Sequence, residues 1–408
     1  HAIDAPPDPL AALRIPDVLG PADQRPHLLV IAPRLDDGGA EVLLLDILTD
    51  LREDWRLTVV TTMPDQQRGW FQFRQITTDI VPFFGAFADE MWQGVLDHLI
   101  ASRGTSIALS HGSAFAYASL AGLKQRHPHL VTIDILHNDL PSGHIRNAVV
   151  ASDSIDVHVA VSEKVSRSLA GLGVPPERIA TIPNGVDTEG LFRPDRFERN
   201  AARRALGLPE KGCVLAWVGR LAEEKRPEKF LDIVAGLRAR FPVTGIIVGD
   251  GPLAPQLATA IDRVKKSDAD IRRIAHVVRE DMAQIYVAAD FLVMTSSIEG
   301  LPFVALEALA CGCPTAATDV GDIGVVVRHG ETGFLVPSDK TGDLVDLVAS
   351  ALRDETRLIR MRGQARDDLA ASRFTRAKMV CAYRELLSRM QAASEARTTD
   401  TAQQDNAG

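Results

Sequence analysis

From His27 onward, short apolar runs alternate with amphipathic stretches. His27 to Ala32 carries an unbroken apolar segment of strand length, while Ala40 to Leu51 spaces its leucines and isoleucine at the helical period. The same reading predicts strands at Leu57–Thr62, Ser106–Ser110, Leu130–Leu136 and Val157–Val161. Helices are expected at Trp92–Ser102, Phe115–Gln125 and Glu163–Ala170. A second series starts at Cys213. Its strands are Val214–Val218, Thr244–Val248, Phe291–Thr295 and Thr315–Ala317, and its helices are Pro227–Arg240, Met282–Ala288 and Pro302–Ala310, with further helices from Asp343 and Glu355. A helix-like turn is expected near Gly324–Val327. Strands separated by helices pair in parallel, so the pattern predicts an α/β chain of two Rossmann-like, doubly wound parallel-sheet domains. Ligands of such sheets bind outside the carboxyl ends of the strands, which would make the two domains face a central cleft.

Punctuation along the chain sets the domain limits. Residues 1–26 are proline-rich and lack either period, which suits a linker or expression remnant. Pro183-Asn184-Gly185 is a turn signal between the two series, placing an N-terminal domain at 27–185 and a C-terminal one at 186–374. The amphipathic stretch 375–391 is read as a helix able to cross back to the first domain, and the polar stretch 392–408 as a disordered tail. Because the chain opens on His1, it is expected to be a piece of a longer polypeptide with additional domains.

Composition narrows the chemistry. The 408 residues are 46% hydrophobic, ample for two cores, and no apolar run reaches the roughly 18 residues of a membrane span. Four cysteines, two of them in Cys311-Gly312-Cys313, form neither a disulfide framework nor, without a completing Cys/His set, a zinc site; no metal site is expected. Asp268-Ala269-Asp270 imitates a metal motif but lies in the charged run Lys265–Arg273 and is read as solvated. The net charge of −9 is uneven, with 14 Lys+Arg against 22 Asp+Glu through Gly185. That balance argues against nucleic acid and against docking on anionic lipid, so any anionic ligand must be held by local basic groups.

Several loops could supply such groups. Ser296-Ser297-Ile298-Glu299-Gly300-Leu301-Pro302-Phe303 runs from a buried strand into a helix, with Pro302 suited to the first helical turn and Glu307 eight residues beyond Glu299. Free N–H groups and the positive end of the dipole make that turn a phosphate site, and Glu299 sits at a strand's carboxyl end. A capping or solvent-facing role is the plainer reading of each glutamate alone. Gly219-Arg220 to Glu224-Lys225-Arg226-Pro227 occupies an equivalent junction, where Arg220 and Lys225 could neutralise a diphosphate. In the first domain Gly38 and Gly39 open a helix after the first strand, a weak signal by itself, and His111 and His137 each follow a strand. Neither a Gly-x-Gly-x-x-Gly fingerprint at this first strand-to-helix turn nor a Walker sequence is present, which speaks against NAD and ATP.

These segments, in this order, resemble the retaining glycosyltransferase family 4, of the GT-B fold. The resemblance rests on Ile182-Pro183-Asn184-Gly185-Val186-Asp187, Gly219-Arg220-Leu221 to Glu224-Lys225, and Gly249-Asp250-Gly251-Pro252. It continues through Ala289-Asp290, Glu299-Gly300-Leu301-Pro302 to Leu306-Glu307-Ala308, and Gly330 to Pro337. It implies that Arg220 and Lys225 hold the donor diphosphate, that Glu299 meets the donor sugar's hydroxyls and that Glu307 binds the ribose. The turn Gly300, Leu301, Pro302 and Phe303 would grip phosphate and sugar through its N–H groups. Gly38 and Gly39 would approach the diphosphate, and His137 would contact the sugar near the reacting centre. Gly321-Asp322-Ile323-Gly324-Val325-Val326 departs from the family pattern by lacking its glutamate, and His276 stands where glycine is common.

The implied activity is metal-independent, retaining transfer of a hexose-like sugar from a nucleotide-diphosphate sugar, UDP- or GDP-linked, with no cofactor. The acceptor would be a glycan, lipid-linked or other hydroxyl compound in bacterial surface polysaccharide biosynthesis. The setting would be the cytoplasm or the inner face of the membrane, with only weak or indirect membrane association. The competing readings are an epimerase or phosphorylase on the same architecture, and a sugar-nucleotide-binding or scaffold module of a larger polysaccharide-assembly protein.

Overall fold

A computed structural model describes residues 23–36, 38–64, 69–140, 143–265 and 270–405. The chain forms two compact units. The first comprises the residues up to Val161, Val165–Ile182 and the chain from Val380 onward; the second comprises Ser162–Lys164 and Pro183–Met379.

Seven strands build the sheet of the first unit: β1 (His27–Ala32), β2 (Arg56–Thr61), β3 (Ile80–Pro82), β4 (Thr105–Ser110), β5 (Val131–Leu136), β6 (Val157–Ala160) and β7 (Ile179–Thr181). They lie in the order β3-β2-β1-β4-β5-β6-β7, all parallel. The second unit holds β8 (Cys213–Val218), β9 (Val243–Val248), β10 (Asp270–Ile274), β11 (Phe291–Met294), β12 (Thr315–Thr318) and β13 (Gly333–Val336), again all parallel, in the order β10-β9-β8-β11-β12-β13. Both orders are doubly wound. The winding reverses between β1 and β4 in one unit and between β8 and β11 in the other, and a crevice opens at such a switch point.

The central strands explain why the apolar runs were legible. Every residue of β1, β4 and β5 is buried, as expected for strands covered by helices on both faces. His27, the first residue of β1, starts a paired polar chain. His27 on β1 bridges Thr105 and Thr58 at 2.8 Å each, Thr58 donates to Asp79, and Arg103 closes the chain on Asp79 at 2.7 Å. Burial, followed by the charges of Arg56 and Arg103, holds the His27 imidazole down to a pKa of about 3.

Three differences from the sequence reading have physical causes. The short edge strands β3 and β7 carry too few apolar residues to register, and β10 registers as a charged run because an edge strand leaves Arg272 and Arg273 toward solvent. Asp270 begins this edge strand with its carboxylate still 45% exposed, while Asp268 and Ala269 lie outside the described residues, as do residues 1–22 of the expected linker. Pro302 does not open its helix. It is the extended N-cap (φ −75°, ψ 123°) of Phe303–Ala310, and its carbonyl accepts from Ala305 and Leu306.

The expected disordered tail is corrected as well: a helix runs from Arg376 to Asp405. Tyr383, Leu386 and Leu387 bury its first half, at helical spacing. Polar contacts hold the rest: Ser394 donates to the His129 carbonyl at 2.9 Å, and Arg397 reaches Asp156 at 2.7 Å and the Leu130 carbonyl at 3.1 Å. A polar composition hid these anchors. Among the described residues no helix is long and apolar enough to cross a membrane.

Candidate functional site

The switch point of the second unit lies between the loops that leave β8 and β11, which are the two loops singled out by their charge. Lys225, after β8, donates from Nζ to Glu299 Oε1, after β11, at 2.6 Å. Ser296 Oγ donates to the same oxygen at 2.6 Å, and Glu299 is 8% exposed. The ammonium has three donors and spends one on this contact, leaving two for an incoming anion. Arg220, on the same loop as Lys225, instead pairs with Glu224 at 2.6 Å and is exposed. The structure thus joins Lys225 to Glu299 and turns Arg220 toward Glu224.

The turn after Glu299 is held from behind through its carbonyl groups. Asn184 Nδ2 donates to the Leu301 carbonyl at 2.7 Å, and the Asp322 N–H donates to the Gly300 carbonyl at 2.8 Å. Gly321 makes that second approach feasible: at φ +65°, a Cβ there would lie 2.3 Å from the Gly300 oxygen. With the carbonyls engaged, the N–H groups of Phe303 and Val304 at the start of Phe303–Ala310 have no intrahelical partners, which is the ordinary anion-binding condition of a helix start. Glu307, four residues into the helix, is buried and accepts from Tyr286 Oη at 2.7 Å. Burial, then the Glu307 charge, pushes the Tyr286 phenol far above its usual range, so the hydroxyl stays a donor.

Arg226 joins the two loops. It is the one non-glycine residue at positive φ (48°) among the described residues, and it caps the helix Pro227–Arg238. Its guanidinium donates to the carbonyls of Thr295 (2.6 Å), Ser296 (2.9 Å) and Ser338 (3.0 Å) and to Ser338 Oγ (3.1 Å). Thr295 Oγ1 returns the contact, donating to the carbonyls of Lys225 (2.9 Å) and Arg226 (2.8 Å). Sequence reasoning missed Arg226, Asn184 and Tyr286. Only the Lys-Arg-Pro junction hinted at the first; Asn184 read as a turn residue and Tyr286 as core.

In the first unit, Gly38 is the extended N-cap of the helix Gly39–Leu51, beside the β1/β4 switch point. His111 follows β4 and His137 follows β5, their rings edge to face with centroids 4.7 Å apart. The Nε2 of His137 is buried without a hydrogen-bond partner among the described residues, and the backbone of Ala40 reaches the His111 ring. Leaving a buried polar group unpaired costs about 1–3 kcal/mol. Burial is the main cause that lowers the His111 pKa to about 4, and burial, then His111, drives that of His137 well below the ordinary value.

Among the described residues no group of three or more His, Cys, Asp or Glu is placed to hold a metal ion. Cys311 and Cys313 are buried free thiols whose pKa values burial raises, that of Cys313 to about 12.

Comparison with known proteins agrees with both halves of this picture. Residues 37–190 match the family described as Glycosyltransferase Family 4, and residues 212–354 match that described as Glycosyl transferases group 1. A D-inositol 3-phosphate glycosyltransferase of Mycobacterium tuberculosis is 36% identical over 207 residues, covering 49% of this chain and 42% of the relative, so the match spans less than half of that protein's length. The Anabaena protein HepE, solved in complex with UDP-glucose, superposes with a TM-score of 0.75 at 21% identity, covering 89% of this chain and 99% of HepE. Sucrose-phosphate synthase of Thermosynechococcus elongatus also gives 0.75, at 18% identity, covering 90% and 100%. These structural likenesses carry the GT-B fold.

Proposed function

We propose, because the chain belongs to the family 4, group 1 glycosyltransferases, that it moves a sugar from a nucleoside-diphosphate sugar to an acceptor hydroxyl with retention of anomeric configuration. The observation that carries this reading is the Lys225–Glu299 pair at the β8/β11 switch point, beside the helix start at Phe303. Breaking the bond between the anomeric carbon and the phosphate oxygen leaves negative charge on the diphosphate. Lys225, Arg220 swung from Glu224, and the N–H groups of the Gly300–Phe303 turn stabilise that charge in place. Glu299, fixed by Ser296, accepts from the sugar's hydroxyls, and Glu307, fixed by Tyr286, accepts from the ribose. The acceptor oxygen enters on the face the diphosphate leaves, and its proton passes to a leaving-phosphate oxygen. No protein nucleophile and no metal ion takes part.

The donor is a uridine or guanosine diphosphate sugar, a choice supported by the UDP-glucose held in the HepE structure. The acceptor is a polyhydroxylated compound, free or lipid-linked, of a bacterial surface-glycan pathway. The M. tuberculosis relative, named for an inositol phosphate, supports a cyclitol or sugar acceptor.

Thermal stabilisation by a panel of nucleoside diphosphates and their sugar conjugates tests the donor assignment. A ligand at one hundred times its Kd stabilises the folded state by about 2.7 kcal/mol. A shift with one base family, followed by turnover that survives EDTA and a product with the donor's anomeric configuration by NMR, is expected. No shift with any member of the panel, or activity lost in EDTA and restored by manganese, would overturn the assignment.

A further inference from the structure

Asn184 is a buried polar side chain of the second unit whose hydrogen bonding is half complete. It is 4% exposed; its Nδ2 donates to the Leu301 carbonyl at 2.7 Å, and its Oδ1 is buried without a partner among the described residues. The backbone beside it is pinned. Val186 N–H donates to the Phe374 carbonyl at 3.0 Å, and Arg376 N–H donates to the Val186 carbonyl at 2.8 Å. A Cβ on Gly185 would lie 2.4 Å from the Thr375 carbonyl oxygen, so the glycine next to Asn184 is what allows that approach. Native proteins pair their buried polar groups, and leaving one unpaired costs stability and calls for an explanation. Here the explanation lies in what the other end of the amide does.

A planar trans peptide carries its C=O and N–H in opposite directions, so each held carbonyl of the Gly300–Phe303 turn aims the next residue's N–H the other way. The Gly300 carbonyl, held by the Asp322 N–H, orients the Leu301 N–H, and the Pro302 carbonyl, held by Ala305 and Leu306, orients the Phe303 N–H. The plane between them has no N–H, because its nitrogen belongs to Pro302. Its polar character is the Leu301 carbonyl alone. That oxygen would repel an anion if it turned toward the face that the neighbouring N–H groups present, and Asn184 is the side chain that holds it.

We propose that Asn184 is a positioning residue for the donor diphosphate, keeping the Leu301 carbonyl off the anion so that the N–H groups of the turn meet it unopposed. This rests on the glycosyltransferase reading and adds to it a residue that acts through the turn rather than on the ligand. The unpaired Oδ1 is the stability given up for an amide donor at that point.

Asn184→Leu keeps a similar volume and removes the amide together with its unpaired oxygen. Wild type and variant are titrated calorimetrically with UDP, GDP, ADP and TDP. The diphosphate that binds the wild type is expected to bind the variant about tenfold more weakly, while the matching nucleoside, followed by saturation-transfer NMR, binds both alike. A merely structural asparagine would lower the melting temperature and leave diphosphate binding intact in the fraction that folds. Equal diphosphate affinity, or equal loss for nucleoside and diphosphate, would overturn the proposal.

Asn184→Asp gives a second reading with the shape unchanged. Its ionised carboxylate can only accept, whereas the protonated form donates an O–H to the Leu301 carbonyl. Burial raises a carboxyl pKa above about 3.9, so diphosphate affinity relative to wild type is expected to be lowest near about pH 8 and to recover toward about pH 5. A ratio that stays constant across that range would overturn the proposal. A wild type that binds none of the four diphosphates would overturn the donor reading and this inference together, whereas equal binding by wild type and both variants overturns this inference alone.

Discussion

Replacing Lys225 by methionine keeps the stem and deletes the charge, and its consequences divide into two measurable parts. Two unit charges 4 Å apart at an effective dielectric of 20 interact by about 4 kcal/mol. Lys225 is 25% exposed, so we take about 3–4 kcal/mol as its effect on the charge developing on the leaving diphosphate, a fall in kcat of about 10²–10³. The second part concerns the folded state. Without the ammonium, Glu299 keeps Ser296 alone in a site where it is 8% exposed, and stranding it costs about 1–3 kcal/mol. Adding Glu299→Gln removes the stranded charge. The double variant is expected to regain most of the lost melting temperature and none of the turnover. The assay is release of nucleoside diphosphate from the donor found in the panel, at saturating donor, beside a melting curve for each variant. Turnover of folded Lys225→Met within a few-fold of wild type would refute the assignment, and so would recovery of activity in the double variant.

Three further expectations follow from geometry. Arg226→Gly and Arg226→Ala both lose the guanidinium contacts, but alanine also keeps a Cβ at φ 48°, so it is expected to be less stable than glycine by about 1 kcal/mol in urea unfolding; the reverse order would remove the backbone argument. His27 and His111 have folded pKa values of about 3 and 4, below the unfolded value of about 6.5. The unfolded chain therefore takes up their protons first as the pH falls below 6.5, and each residue removes stability at about 1.4 kcal/mol per pH unit until its folded pKa is reached. The urea midpoint is expected to drop between about pH 6 and pH 4, less steeply in His27→Gln, and a flat profile would contradict the burial. Arg397→Ala is expected to cost about 1 kcal/mol and to abolish hydrogen-exchange protection over the last turns of the helix Arg376–Asp405; full protection would show that its contacts with Asp156 and Leu130 hold nothing.

Much of this architecture was legible because parallel strands buried on both faces must be written as continuous apolar runs. Val214–Val218 and Leu28–Ile31 could be little else. The loops of the candidate site were legible as candidates too, since Arg220, Lys225 and Glu299 are charged residues next to strand ends, where loop composition is otherwise unconstrained. What one dimension could not carry was pairing. The sequence sets Lys225 and Glu299 74 positions apart, and only the order β8 next to β11 brings them to 2.6 Å. Arg226 reads as one more surface charge until its φ is known, and Tyr286 is indistinguishable from its apolar neighbours until Glu307 is found at its hydroxyl. The tail misled for the converse reason: composition measures apolar burial, and Ser394 and Arg397 anchor by hydrogen bonds.

The division of the chain also sets an order of events during synthesis. Apart from Ser162–Lys164, the second unit is one continuous run ending at Met379, so it is complete as soon as that residue has emerged. The first unit begins earlier and finishes later, because its last piece starts at Val380. A growing chain thus passes through a stage in which all seven strands of the first sheet exist while the surface that Tyr383, Leu386 and Leu387 will cover is still open to water. That apolar surface stays exposed until the helix Arg376–Asp405 packs on it.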